Sequence, residues 1–319
     1  MILLVFIILT QLTGCLSLLK GEYYLGTEKY ETGIQAFEQE IKKKPNVANN
    51  YFYLGRFLLA QKKYIKANTQ FKKAVVLDPG NDTYHFWLGV SYGGLKKDQL
   101  EIENYRKAIE LNGRYAQAHT YLGHSRLRSK KYSLALKSYD KALSLRSDNP
   151  PALYNRALIL NRLKRNSEAK SAFKQYLKDY GNSPKAITAT AYLNQMGDFE
   201  YRIHLFNRRK IVLKKIDFDQ FKPELKKESL PSLKIVGYMI KKNSRFVLHI
   251  LSYQKNNKVL AQKKAKAVKI YLLNHYSGIQ PEQIKLSWFD IPERISIGKR
   301  NHTLDDSINL FGVLKSGAE

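Results

Sequence analysis

The chain has 319 residues, with 55 Lys and Arg against 27 Asp and Glu, for a formal net charge of +28. Its 44% apolar and 26% charged composition is that of folded protein and excludes global disorder. A single cysteine excludes an intramolecular disulfide framework and any cysteine-based zinc or iron–sulfur site.

The length allows two or three domains, each able to bury its own core. Basic charge is spread through the chain: 24 basic against 10 acidic residues over 201–319, and 31 against 17 before it. Nucleic-acid proteins concentrate basic residues on one element or face. The spread therefore implies attraction to polyanions at low salt, with no specific nucleic-acid function.

Residues 2–8 are an unbroken apolar run, and only 14 residues precede Cys15. That is too short to span a bilayer and is the length of a signal h-region. The run ends in Leu12, Thr13, Gly14 and Cys15. This stretch resembles the lipobox of bacterial lipoproteins. The resemblance implies that residues 1–14 are a signal peptide and that Cys15 is acylated after cleavage, the covalent lipid being the only group carried. Leu16, in place of an aspartate after the cysteine, implies the outer membrane. One departure is that no Lys or Arg precedes the apolar run. The alternative is a buried apolar first helix with an incidental cysteine.

Gly21, Gly55, Gly89 and Gly123 recur every 34 residues, and Ala157 continues the series. Gly33, Ala67, Glu101, Ala135 and Ala169 form a second column, and Phe37, Phe71, Tyr105, Tyr139 and Phe173 a third. Apolar residues between them keep helical spacing. Paired helices can approach at the small residues while the aromatic fills the gap beside them. A 34-residue period of this kind resembles the tetratricopeptide repeat, over about residues 15–183 in five units. Units that bury their apolar faces only against neighbours make a solenoid. The segment from Pro184 to Met196 reads as a capping helix started by proline.

The resemblance implies binding of protein segments in a concave groove. The family pattern carries over to Asn49, Phe52, Arg56, Thr83, Phe86, Gln117, Thr120, His124 and Tyr154. For Phe52, Phe86 and Tyr154, packing between units is as good a reading as ligand contact.

After Asn207 the texture changes. Strands are expected at Lys210–Ile216, Arg245–Leu251, Ile284–Phe289 and Ser307–Leu314, with an amphipathic stretch at Leu230–Ile240 and a helix at Ala261–His275. The whole is an α + α/β chain: an all-α solenoid over 15–200, then an α/β sandwich over 201–319. Phe218, Asp219, Pro223 and Leu225, the helix from Leu260 to Leu272, and Gly278, Ile279 and Ile284 resemble an OmpA-like peptidoglycan-binding domain over about 208–314. In that family an aspartate and an arginine hold the diaminopimelate of the wall. Here Tyr253 and Lys264 stand at those positions, a phenol and a point charge without the guanidinium fork. Either Lys264 and its neighbours still hold peptidoglycan weakly, or the domain has become a protein-binding module, which the changes favour.

No Gly-rich phosphate loop, nucleophile elbow or His-Glu-x-x-His helix occurs, and no acid pair stands out as a dyad. No enzymatic activity and no metal are expected. The expected role is a periplasm-facing outer-membrane lipoprotein that scaffolds an envelope-spanning assembly of the secretion or motility type. Its partners are then a protein in the groove, the outer membrane through the anchor and, if the C-terminal domain keeps the family's ligand, peptidoglycan. The competing expectation is a peptidoglycan tether whose repeats act as a spacer.

Overall fold

The computed structural model describes residues 16–219 and 222–314. Cys15 and the apolar run before it lie outside the described residues. Two compact units divide the chain, one up to Ile159 and the other from Leu160.

The first unit is built of antiparallel helix pairs. Residues 16–26 form α1, paired with α2 (Tyr30–Lys43). Then follow α3 (Ala48–Ala60) with α4 (Tyr64–Leu77), α5 (Asp82–Gly94) with α6 (Asp98–Leu111), and α7 (Ala116–Arg128) with α8 (Tyr132–Leu145). Helix α9 (Pro150–Arg162) runs across the division.

The glycine column works as the period requires. A Cβ on Gly55, Gly89 or Gly123 would lie 2.8, 2.7 or 2.8 Å from the ring of Phe71, Tyr105 or Tyr139 in the partner helix. Those rings are fully buried, so the helices close directly over them. A further 34-residue column lies in the turns. Glu28, Lys62, Lys96, Lys130 and Lys164 all have φ between 55° and 61°. At each such turn the chain reverses through a left-handed residue that satisfies the last carbonyls, as Lys62 N–H does to Leu59 and Lys63 N–H to Leu58.

Glu101, the acidic departure in the small-residue column, is buried and compensated. Its carboxylate accepts from Ser125 Oγ at 2.7 Å and pairs with the Arg128 guanidinium. Gly93 leaves the space it fills, since a Cβ there would meet the carboxylate at 3.0 Å.

The second unit opens with α10 (Asn166–Tyr180) and α11 (Ala186–Gln195). A helix stands where the capping helix is expected, but it begins at Ala186 with Lys185 at the N-cap, so Pro184 lies in the preceding turn and does not start it. A five-stranded mixed sheet follows, in the order β2-β1-β7-β3-β4. It comprises β1 (Tyr201–Phe206), β2 (Arg209–Lys214), β3 (Phe246–Gln254), β4 (Ile284–Phe289) and β7 (Asp306–Leu314). Strands β1 and β7 are parallel, β7 and β3 antiparallel, and β3 and β4 parallel. Helix α13 (Lys258–His275) makes the β3–β4 crossover that a parallel pair needs. Helix α12 (Leu230–Lys241) joins it on the sheet, burying Leu233, Val236 and Ile240 with Leu248, Ile250, Val268, Leu272 and Leu310.

All four expected strands are present. The hairpin partner β1 and a separate ribbon of β5 (Glu293–Ile297) and β6 (Arg300–Leu304) add to them.

Candidate functional site: the repeat groove

Helices α3, α5, α7 and α9 carry the nine groove candidates. The structure places four of them in packing. Phe52 is 5% exposed, its ring 5.0 Å from Tyr84 and 6.2 Å from Phe71. Phe86 is fully buried among Tyr105, Tyr115 and Tyr121. Tyr154 is buried, and so is Thr120, whose hydroxyl donates to the Ala116 carbonyl and accepts from Asn149. For the three aromatics, packing is the reading the structure supports.

The remaining candidates are reachable. Asn49 accepts from the Tyr84 hydroxyl at 2.6 Å, and Thr83 donates to Asp82 at 3.1 Å. Gln117 is exposed, and His124 lies half-buried between the rings of Tyr121 and Tyr139, 5.6 Å from each.

Arg56 holds the distinctive position. Its guanidinium sits 3.8 Å from the centre of the Trp87 ring and 5.7 Å from that of Phe52. Arg56 has no ion pair with a carboxylate among the described residues. Burial pulls the guanidinium pKa below its ordinary value, opposed first by the charge of Glu22. Glu22 is itself engaged, accepting from the Tyr53 hydroxyl at 2.9 Å. The arrangement is a cation held over an indole with donors left for an incoming acceptor. Trp87, Tyr115 and Tyr121 were not among the sequence candidates. Trp87 and Tyr121 stand one position after two of them, Phe86 and Thr120, in a column of the same period.

In the second unit, Lys264 is 1% exposed. Its ammonium donates to Asp306 at 2.5 Å and Gln254 at 2.8 Å, and lies 5.3 Å from the Phe218 ring centre. Tyr253 stacks on Phe289 at 4.8 Å, and burial pushes its hydroxyl up. Beside it lies a buried cluster. Arg202 grips Glu293 with two bonds of 2.7 and 2.6 Å, while Ser307 and Asn309 donate to the same carboxylate. Burial raises the Glu293 pKa, but Arg202 and the two side-chain donors outweigh it, and the carboxyl is held below its usual value. Arg202 and Glu293 are 91 residues apart, and no motif links them. No group of three or more His, Cys, Asp and Glu fit to hold a metal occurs among the described residues.

Family models described as tetratricopeptide repeat match residues 18–82, 102–150 and 120–186, and a second such model matches 83–115. The helical half of this chain belongs to the tetratricopeptide-repeat family.

Among solved structures, the repeat array is similar to pilF of Pseudomonas aeruginosa, at 16% identity and a TM-score of 0.55, over 60% of this chain and 87% of that one. That likeness agrees in fold. It is also similar to MamA (24% identity, TM-score 0.48, 52% of this chain and 96% of that one). The first repeat domain of Spaghetti (RPAP3), bound to an HSP90 peptide, is a further match (26%, TM-score 0.36, 37% and 93%). No curated protein matches the chain.

Proposed function

We propose that this chain is a lipid-anchored outer-membrane scaffold whose repeat groove grips an acidic segment of a partner protein in an envelope-spanning assembly. The observation that carries the groove reading is Arg56, held over the Trp87 ring with no ion pair to a carboxylate among the described residues. A guanidinium so held loses little freedom on meeting a carboxylate, which it can accept with two parallel bonds. Asn49, Thr83 and Gln117 supply amide and hydroxyl groups for a peptide backbone. Family membership supports protein binding as the activity.

The anchor reading rests on Leu12 to Cys15. Incorporation of labelled palmitate that persists in Cys15→Ser would remove it. The groove is tested by purifying the tagged full chain from detergent-solubilised envelopes beside the Arg56→Ala/Trp87→Ala variant. A defined partner present with the first and lost with the second supports the groove; equal recovery sinks it.

Peptidoglycan tethering is the second reading, on the likeness of the C-terminal third to an OmpA-like domain. The buried Lys264 weighs against it, because its ammonium is spent on Asp306 and Gln254. Pelleting of the full chain with sacculi at about 0.5 M salt, where diffuse charge attraction is screened, decides between the two.

A further inference from the structure

A cleft of about 590 Å³ lies in the second unit, between the end of α9, the start of α10, α11 and the tip of the β5–β6 ribbon. It is the size of an ordinary ligand site. Lys164, Lys170, Lys299 and Arg300 line it, and no acidic residue does. None of the four has an ion pair among the described residues. Four cations thus line one concavity with no carboxylate among them, a positive field that attracts an anion.

Two tight turns set the backbone beneath Lys164 and Lys299. Lys164 is the left-handed residue of its repeat turn, at φ 61°. Lys299 follows Gly298, at φ 59°, in a two-residue hairpin loop closed by the Ile297–Arg300 pair. Glycine at the first loop position is what such a hairpin requires. The floor is braced by Tyr192, whose ring stacks on Phe173 at 5.5 Å.

We infer that this cleft is a second docking site, independent of the repeat groove, for a protein segment carrying several clustered carboxylates. Three of the cations are lysines, and the fourth, Arg300, already donates to the Gln195 carbonyl at 3.4 Å. The charges are therefore separate points spread over a repeat turn, the first helical turns of α10 and the hairpin tip, matching carboxylates spread along a chain better than one compact phosphate. Asn161, Asn166 and Gln195 side chains also line the cleft and can pair with a peptide backbone.

The probe is a fluorescein-labelled octaglutamate peptide, with octaglutamine as the neutral control, titrated into the full chain carrying Arg56→Ala to silence the groove, at about 0.15 M salt, where charges beyond about 8 Å are screened. Lys299→Glu/Arg300→Glu is expected to weaken octaglutamate binding at least tenfold. Lys42→Glu/Lys43→Glu, the same charge change on the exposed face of α2, is expected to stay within twofold. Lys164→Gln/Lys170→Gln gives an intermediate loss and keeps the test valid should the hairpin variant misfold. Equal losses in both reversal variants reduce the attraction to diffuse charge and overturn the site, as does the absence of saturable binding. Tighter, variant-sensitive binding of inorganic pyrophosphate or of anionic vesicles makes it a phosphate site and overturns the assignment to a protein segment.

Discussion

The guanidinium of Arg56 lies 3.8 Å from the centre of the Trp87 ring, across the gap between helices α3 and α5. A contact of this kind contributes about 0.5–2 kcal/mol, more as the cation is desolvated. A double-mutant cycle of Arg56→Ala and Trp87→Ala in chemical denaturation is expected to return a coupling of about 1 kcal/mol. Additive losses would show that the stack does not form in solution. Arg56→Lys should recover little of it, because an ammonium lacks the plane that lies on the indole.

Glu101 and Arg128 test how a repeat absorbs a departure from its small-residue column. Glu101 is nearly buried, while the Arg128 side chain is 51% exposed. The desolvation cost therefore falls mainly on the carboxylate, and water screens the guanidinium. Glu101→Gln is expected to cost about 1–2 kcal/mol, since Ser125 loses a charged acceptor inside the fold. The coupling to Arg128→Gln should stay below about 1 kcal/mol, measured by the same denaturation cycle. A larger coupling would mean that Arg128 is effectively desolvated.

What was legible in the sequence follows the period. The columns through Gly55, Phe71 and their equivalents could be read because each repeat solves the same packing problem, so identity at one spacing reports contact. Arg56 came from the resemblance to the repeat family, since its own column (Glu22, Arg56, Val90, His124) repeats no residue type. Its partner Trp87 was not legible, because the stack joins two different columns and no column by itself says which faces meet. In the C-terminal third, β2 could be read from its β-branched residues, and β3, β4 and β7 from their apolar residues. Strand β1 (Tyr201–Phe206) follows the last helix closely and carries Arg202 and His204, and β5 and β6 are short and largely polar, so neither announces a strand. The Arg202–Glu293 pair is a product of the sheet order alone.

The left-handed column in the turns carries its own prediction. Lysine at φ 57° in Lys96 and Lys130 places a Cβ where only glycine sits without strain. Relief of about 1 kcal/mol is opposed by the extra freedom glycine gives the unfolded chain, so Lys96→Gly should be neutral to about 1 kcal/mol stabilising. Lys96→Val, β-branched in the same conformation, should cost more than about 1 kcal/mol. The check is the shift in thermal midpoint of the two variants; a valine variant as stable as the parent would place the turn in another conformation.

His204 makes the second unit sensitive to mild acid. It is 5% exposed, with Nδ1 3.0 Å from the Leu310 carbonyl oxygen and 3.3 Å from the Leu310 amide nitrogen, where β1 meets β7. Burial first, and then the charge of Arg202, bring its pKa down to about 4, against the pull of Glu293 and Asn309. The folded state thus holds the neutral ring while the unfolded chain takes a proton at the ordinary value of 6.5. Stability is full above that pH, declines as pH falls from about 6.5, and levels off below about 4, for a loss on the order of 3 kcal/mol. Glu293, with its carboxyl held low, adds its own loss only as pH drops below the usual carboxylate range. The two effects therefore separate between pH 6.5 and 5. Urea midpoints of the second unit, followed by Trp288 fluorescence in a Trp87→Phe background, should fall across that window in the parent. In His204→Asn, which keeps a hydrogen-bonding side chain but cannot titrate, the fall should shrink to the smaller part left by His249, whose pKa burial also lowers. Parallel slopes in the two proteins would assign the acid sensitivity to another group.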